Sequence, residues 1–177
     1  MTAKGENMDL TALNKMQYGV YIVSSTADGK MSAMIANTVF QVCAEPVLFA
    51  ASISKQNFTY ELIKKSEKFA VSALSEDAPF EFIGKFGFKS GRTVNKFDKV
   101  NHTISKSGKL PIVLEYAAAV YEVEVVKDID LDTHVLFIGK VFNMQLIDEK
   151  KPTMTYDYYH KVKGGMTAKN APTFIKK

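Results

Sequence analysis

Strand-like segments joined by tight turns, with no long helical period between them, are the pattern that most constrains this chain. Tyr18 to Ser24 and Met31 to Val42 read as strands across Ala27-Asp28-Gly29-Lys30, where Asp-Gly tolerates the positive φ angles of a two-residue hairpin. Val47 to Ile53 is a continuous apolar strand, Lys68 to Leu74 is another, and Asn101 to Gly108 holds a weak one. Ala117 to Val126 alternates, with Ala119, Tyr121, Val123 and Val125 on one face and Glu122 and Glu124 on the other. His134 to Leu146 follows after a turn over Asp128 to Thr133. The predicted helices are short: Asp9 to Lys15 capped by Asp9, Asn57 to Lys65, and Pro79 to Phe86 capped by Asp77. Gly84 to Asp98 is a polar, glycine-containing interruption, and the tail from Lys151 has no clean period. Six or more hairpin-connected strands imply a mainly β fold with short helices, a β-barrel with helical additions. Long parallel strands alternating with long helices are absent, which argues against a doubly wound nucleotide fold.

The length of 177 residues suits one domain over 1–177, with a flexible 1–8 and a C-terminal arm over 151–177. The net charge of +4 comes from 23 Lys and Arg interleaved with 19 acids, which favours small anionic ligands over nucleic acid. Cys43 is the single cysteine, so one chain can form no internal disulfide and no multi-cysteine metal site. Its apolar neighbours predict a buried small hydrophobe. The polar start lacks a signal-peptide core and no stretch approaches the ~20 apolar residues of a membrane span, so a soluble cytoplasmic protein without membrane association is expected. The three histidines have no metal-ligand spacing, and neither a phosphate loop, a Gly-x-Gly-x-x-Gly nor a Gly-x-Ser-x-Gly elbow occurs. Most carboxylates fall in mixed-charge turns or on an alternating strand face and read as solvated.

The chemistry concentrates at Ala51-Ser-Ile-Ser-Lys-Gln-Asn-Phe-Thr59. An apolar run ends there and a helical pattern begins, so Ser52, Ser54, Lys55, Asn57 and Thr59 fall at a strand end and a helix start. Unpaired N–H groups and the positive end of a helix dipole attract an anion, most often a phosphate. Ser, Thr and Asn are also ordinary capping residues, and the spacing alone leaves both readings open. A phosphate site without a nucleophile or metal points to chemistry done by a borrowed cofactor.

Ala33-Met-Ile-Ala-Asn-Thr38 before Pro46, then Ser52-Ile-Ser-Lys55 and Thr59, then a late His opening a strand, resembles the flavin reductase-like FMN-binding split barrels. The flavoredoxin group and the flavin domain of high-molecular-weight rubredoxins are especially similar. The resemblance runs from about Asp9 to Phe174 and takes in Phe86-Gly-Phe-Lys-Ser-Gly-Arg92, Lys96-Phe97 and Met154-Thr-Tyr-Asp-Tyr-Tyr-His160. Two departures stand out. Asp132-Thr133-His134 replaces the Gly-Asp-His of the broader family, and the sequence stops at Lys177 with one cysteine, so any rubredoxin is expected as a separate partner.

The resemblance implies FMN in a groove of the barrel, closed by a homodimer whose contacts include the aromatic tail. It places Ser52, Ile53, Ser54, Lys55, Asn57 and Thr59 about the phosphate, and Ala36, Asn37 and Thr38 at the isoalloxazine edge. Ser90 and Arg92 would add polar contacts near the phosphate or ribityl chain, Lys96 a weaker one, and His134 would orient a nicotinamide. The implied activity is an FMN-dependent oxidoreductase of the flavin reductase type, carrying electrons from NADH or NADPH to an acceptor such as rubredoxin or another redox protein. The alternatives are an electron-transfer flavoprotein with little NAD(P)H activity, or a non-catalytic split-barrel binding protein.

Overall fold

The computed structural model describes residues 8–175; the expected flexible 1–8 lies, apart from Met8, outside them. A 3-10 helix over Leu10–Lys15 opens the described chain, with Asp9 accepting from the Thr11 amide as its cap. Strands β1 (Tyr21–Ala27) and β2 (Lys30–Ala36) form the expected hairpin, and Asp28 and Gly29 take φ of 51° and 71° in its turn. The second β-rich stretch is broken at Asn37-Thr38, so β3 (Val39–Ala44) is a separate strand pairing with β4 (Val47–Ser54). Helix α1 (Phe58–Ser66), β5 (Lys68–Leu74), α2 (Phe80–Gly87) and a small hairpin of β6 (His102–Ile104) and β7 (Pro111–Val113) follow. The long pair β8 (Ala117–Leu131) and β9 (His134–Leu146) and helix α3 (Tyr156–Lys161) complete the order.

One seven-stranded sheet runs β2-β1-β5-β8-β9-β4-β3, antiparallel at every pairing. Its two edge strands are consecutive in the chain, so the sheet must curl until Asn37-Thr38 can join them. The Ser52 amide donates to the Thr38 carbonyl at 3.0 Å beside that junction. The result is a barrel split at one seam. Its interior packs Val23, Phe69, Val71, Val123, Val135 and Phe137 with Ile63 of α1. Each such side chain contributes about 1.5–3 kcal/mol of burial. A bulge in β9 at Phe142 and one in β8 at Val126 bend the long pair, and Gly139 lets β9 approach there, since a Cβ would lie 2.7 Å from the Glu124 carbonyl oxygen.

Strands β1 and β5 are covered on both faces. Ile22 and Leu74 point outward into a second cluster with Ile83, Phe86, Met154 and Tyr159. Polar groups on these strands therefore need partners, and the Ser72 hydroxyl donates to the Val113 carbonyl at 2.7 Å while Ser24 donates to Pro111. Two buried hydroxyls thus fasten the small hairpin to the barrel.

Several sequence expectations are corrected. β8 continues to Leu131, so the turn is only Asp132-Thr133, with Asp132 at φ 63°. Pro79, not Asp77, is the N-cap of α2; Asp77 instead accepts from Ser75 and from Lys151 Nζ at 2.8 Å. Cys43 is half-buried on the β3 edge, its thiol donating to the Pro46 carbonyl. The aromatic tail folds onto its own chain: α3 buries Tyr159, which stacks on Phe80. Among the described residues no helix is long and apolar enough to cross a membrane.

Glu122 is the largest departure. It does lie opposite Tyr121 and Val123, yet the β6–β7 turn covers that face and leaves it 1% exposed. Its Oε2 accepts from Ser107 at 2.7 Å and Asn143 at 2.6 Å. Burial pushes the carboxyl up, but hydrogen bonds from Ser105, Asn143 and Ser107 outweigh it and hold the group below its ordinary value. A depressed carboxyl stabilises the fold above its unfolded pKa and loses that contribution as pH falls through the folded value. Glu122→Gln is therefore expected to cost about 1–3 kcal/mol near pH 7. In urea titrations the gap to wild type should narrow below about pH 4.3, the ordinary glutamate value; a gap that widens in acid would contradict this account.

Candidate functional site

At the seam of the barrel the β4–α1 connection packs several small polar groups together. The Asn57 amide donates to the Ser54 carbonyl at 3.1 Å, and the Gln56 amide to Ser54 Oγ at 3.3 Å. Asn57 is the N-cap of α1, with extended backbone, but its side chain makes no capping bond. The first amides of a helix have no intrahelical acceptor, so the amides of Phe58 and Thr59 depend on something other than the helix. Glu61 in the first turn and Lys64 and Lys65 in the last follow the usual dipole preference. Thr59 donates to Ser32 Oγ of β2 at 3.0 Å, with both residues buried. The loop after α2 closes over this pair at Gly91, where a Cβ would lie 2.1 Å from Ser32 Oγ. Only glycine permits that approach.

These groups form one end of a cleft of about 360 Å³. Its floor is the small and aliphatic side of β2, Ala33, Met34, Ile35 and Ala36, and its walls bring Phe86, Phe88, Tyr156 and Tyr159. Lys89 and Lys169 are its charged lining, and among the described residues no aspartate or glutamate lines it. The cleft is thus apolar and aromatic along its length, polar at one end, and cationic at its rim. Among the described residues no group of three or more His, Cys, Asp or Glu side chains could hold a metal ion.

The C-terminal segment crosses the same cleft. Asn170 Nδ2 donates to Asn57 Oδ1 at 2.8 Å, and Asn37 Nδ2 donates to Thr173 Oγ1 at 2.7 Å. Tyr156 and Thr167 share a hydroxyl contact of 2.7 Å. His134, opposite Ser54 in the β4–β9 register, reaches this segment too: its Nε2 lies 3.2 Å from the Asn170 carbonyl. Nε2 must donate there, so Nδ1 is the acceptor for the Thr133 hydroxyl at 2.9 Å. Within the neutral ring, both contacts select the Nε2-protonated tautomer.

Of the residues singled out from sequence, the cleft gathers Ala36, Asn37, Ser52, Ser54, Asn57, Thr59 and Ser90. Thr38 stands beside it, donating to Asn37 Oδ1 at 3.1 Å, and Ile53 is fully buried in the barrel interior. Lys55 is turned away, its ammonium 2.6 and 2.8 Å from the two oxygens of Asp130. Arg92 is likewise engaged outside, paired with Glu61 and set 5.5 Å over the Phe58 ring. Lys96 is buried behind the wall and offers no charge to the cleft. His134 meets the site only through the C-terminal segment. Gln56, Lys89, Lys169 and Ala171-Pro172 line the cleft without having been singled out. Lys89 sits inside the Phe86–Arg92 motif, which was its available signal; residues 168–172 carry no local pattern, and only the fold brings them there.

The model of the flavin reductase like domain matches residues 13–165. The chain is 41% identical over 167 residues to a high molecular weight rubredoxin of Moorella thermoacetica, covering 94% of this chain and 72% of that protein. It is 40% identical over 168 residues to a ferric-chelate reductase (NAD(P)H) of Archaeoglobus fulgidus, covering 95% and 98%. Among solved structures, an FMN-binding protein from Thermus thermophilus with bound p-hydroxybenzaldehyde superposes with a TM-score of 0.70 at 25% identity, over 84% of this chain and 82% of that one. A split barrel with an acid-free aromatic cleft at its seam, matched over most of its length by that domain model, makes this chain a member of the flavin reductase like domain family.

Proposed function

We propose that this chain is an FMN-dependent oxidoreductase that takes electrons from NADH or NADPH and delivers them to a separate redox partner. The observation that carries the reading is the cleft itself: flat aromatic and aliphatic walls, a helix N-terminus with small donors at one end, and lysines without acids. Its volume lies within the usual range for cofactor pockets, about 300–1,000 Å³. The donor set fits a phosphate-bearing aromatic cofactor. Ser52, Ser54 and Asn57 and the first-turn amides of α1, that of Thr59 among them, would hold the phosphate. Ala36 and Asn37 would line the ring edge, and Ser90 and Lys89 would close the rim. Thr38 and Ile53 would act through their backbone, and Lys55 and Arg92 could offer charge to a phosphate only by leaving Asp130 and Glu61.

FMN, when bound, supplies hydride acceptance and the release of electrons singly or in pairs. The protein supplies position and exclusion of water. Phe86, Phe88 and the α3 tyrosines shield the cleft, and His134 would offer its Nε2 proton to a carboxamide oxygen that took the place of the Asn170 carbonyl. One observation favours a flavoprotein with little pyridine-nucleotide activity as the second reading: the Asn170 carbonyl already takes the His134 proton.

A homodimer is part of the proposal. Its support is no longer the tail but apolar surface elsewhere: Met144 and Leu146 of β9 are 55% and 63% exposed, and the first 3-10 helix buries none of its residues. Surface of this kind marks an interaction site.

Three outcomes test the proposal. Purified protein titrated with FMN should acquire a bound-flavin visible spectrum, and Asn57→Ala should weaken binding about ten- to hundredfold, the value of roughly 1.5–3 kcal/mol for a hydrogen bond to a charged group. Lys55→Ala should weaken it less, and equal affinity in the Asn57 variant would move the phosphate elsewhere. In stopped-flow reduction by NADH and NADPH, FMN-saturated His134→Ala should react on the order of 100-fold more slowly with flavin affinity retained; a wild-type rate would remove His134 from the site, and no reduction of the wild type would favour the second reading. Sedimentation should give a dimer that dissociates when Met144 and Leu146 are both changed to Asp, and a monomeric wild type would refute the pairing.

A further inference from the structure

Lys96, in the loop between α2 and β6, is 2% exposed. Its ammonium lies 2.6 Å from the Lys85 carbonyl and 3.2 Å from that of Phe86, and it also donates to the Lys89 carbonyl. Among the described residues no carboxylate pairs with it. What holds the charge is three carbonyl dipoles, the negative end of α2, and the Phe86 ring 6.0 Å from Nζ. The geometry is matched: an ammonium has three protons and faces three acceptors. Two of those acceptors are among the last carbonyls of α2, which the helix leaves without partners.

The segment so gripped is a wall of the cleft. Phe86, Gly87, Phe88, Lys89, Ser90 and Gly91 all line it, and Gly91 rests against Ser32. Of the other ties, the Phe88 amide donates to the Gly84 carbonyl of α2 at 2.9 Å, the Arg92 guanidinium donates to the Gln56 carbonyl at 3.1 Å and pairs with Glu61, and the rest are local: the Arg92 amide to Ser90 Oγ, and the Thr93 and Val94 amides to the Ser90 carbonyl. Past Phe88, none of these joins the loop to α2. Burying an ammonium without a counterion is costly, so replacing it with an apolar side chain need not unfold the protein. It would leave the carbonyl of Lys89 free of α2.

We propose that Lys96 is a positioning residue of the cofactor site, tying the last turn of α2 to Lys89 so that Phe86–Gly91 stands in the geometry that receives the flavin. The identity of the ligand rests on the function proposed above; the fastening of the loop does not. Burial lowers the Lys96 pKa to about 8, with the charges of Lys89 and Lys85 adding to the effect. Lys85 is itself turned to the Asp98 carbonyl, and among the described residues no acid faces Lys96 to offset them. A neutral amine keeps two protons for three carbonyls, so the grip loosens as pH rises through that value. Folding stability moves the other way: a lysine whose folded pKa is lowered costs stability while it is charged, and that cost fades between about pH 8 and the ordinary lysine value of 10.4. Opposite trends in site geometry and in global stability are therefore the signature of this residue.

The test uses Lys96→Met and two readouts. In apo-protein, hydrogen exchange by mass spectrometry should speed up in the peptide over Phe86–Gly91 and remain unchanged in β5. In FMN titrations the variant should bind about ten- to hundredfold more weakly and with no inflection near pH 8, whereas wild-type affinity declines through that pH. Unchanged exchange in the loop, or the same pH profile in both proteins, overturns the proposal. Faster loop exchange in the variant with no FMN binding by wild type would sustain the fastening and refute the flavin reading. Should Lys96→Met fail to fold, wild-type loop exchange corrected for intrinsic rate must rise as pH passes about 8, and a flat profile overturns the proposal.

Discussion

The structure depends on one topological constraint: the two edges of the sheet are consecutive strands. β2 and β3 cannot separate further than Asn37-Thr38 allows, so seven antiparallel strands must curl almost to closure. Closure without a continuous ladder leaves a seam, and a seam in a barrel is a place where backbone and small side chains face outward without being covered. The cleft lies at that seam. β2 gives it a floor of small side chains, β4 runs its end into α1 beside it, and the loop after α2 and the C-terminal segment supply the other walls.

A second principle governs the two strands that follow β2 in the sheet order. β1 and β5 are covered on both faces, so hydroxyls on them are buried and each must find an acceptor. Ser24 and Ser72 find theirs in the small β6–β7 hairpin, and Glu122 finds its donors in the turn of that hairpin and in β9. Lys96 repeats the theme with a charge. Polar groups that a simple barrel would leave in water are used here to dock peripheral elements at fixed positions.

What was legible in the sequence follows the range of the interaction responsible. Asp28-Gly29, the strand Lys68–Leu74, the start of β9 at His134 and the β4–α1 polar cluster are specified by neighbours in sequence, and the structure places them as read. The cap of α2 was misassigned because Asp77 has a stronger partner in Lys151, 74 residues away. Glu122 read as solvated because strand alternation gives the face but not what covers it. Lys55 and Arg92 read as anion ligands because residue type does not reveal that Asp130 and Glu61 are already in contact with them. The site was legible at its polar end, where chemistry is local, and illegible at Lys89, Lys169 and Asn170, which tertiary folding alone delivers.

The C-terminal segment over the cleft carries a thermodynamic consequence. Besides its hydroxyl contacts with Tyr156, three side-chain hydrogen bonds tie it across the cleft, Asn170 to Asn57, Asn37 to Thr173 and His134 to the Asn170 carbonyl, each worth about 1 kcal/mol net. Giving up three such bonds without replacing them would cost a ligand on the order of 100-fold in affinity. Any ligand that needs the segment aside then binds with its intrinsic affinity divided by that factor, because only the minor open population is competent. The segment acts as an internal competitor at fixed effective concentration. It sets a threshold affinity below which small aromatic molecules are turned away, and a cofactor able to replace those three contacts with its own passes that threshold.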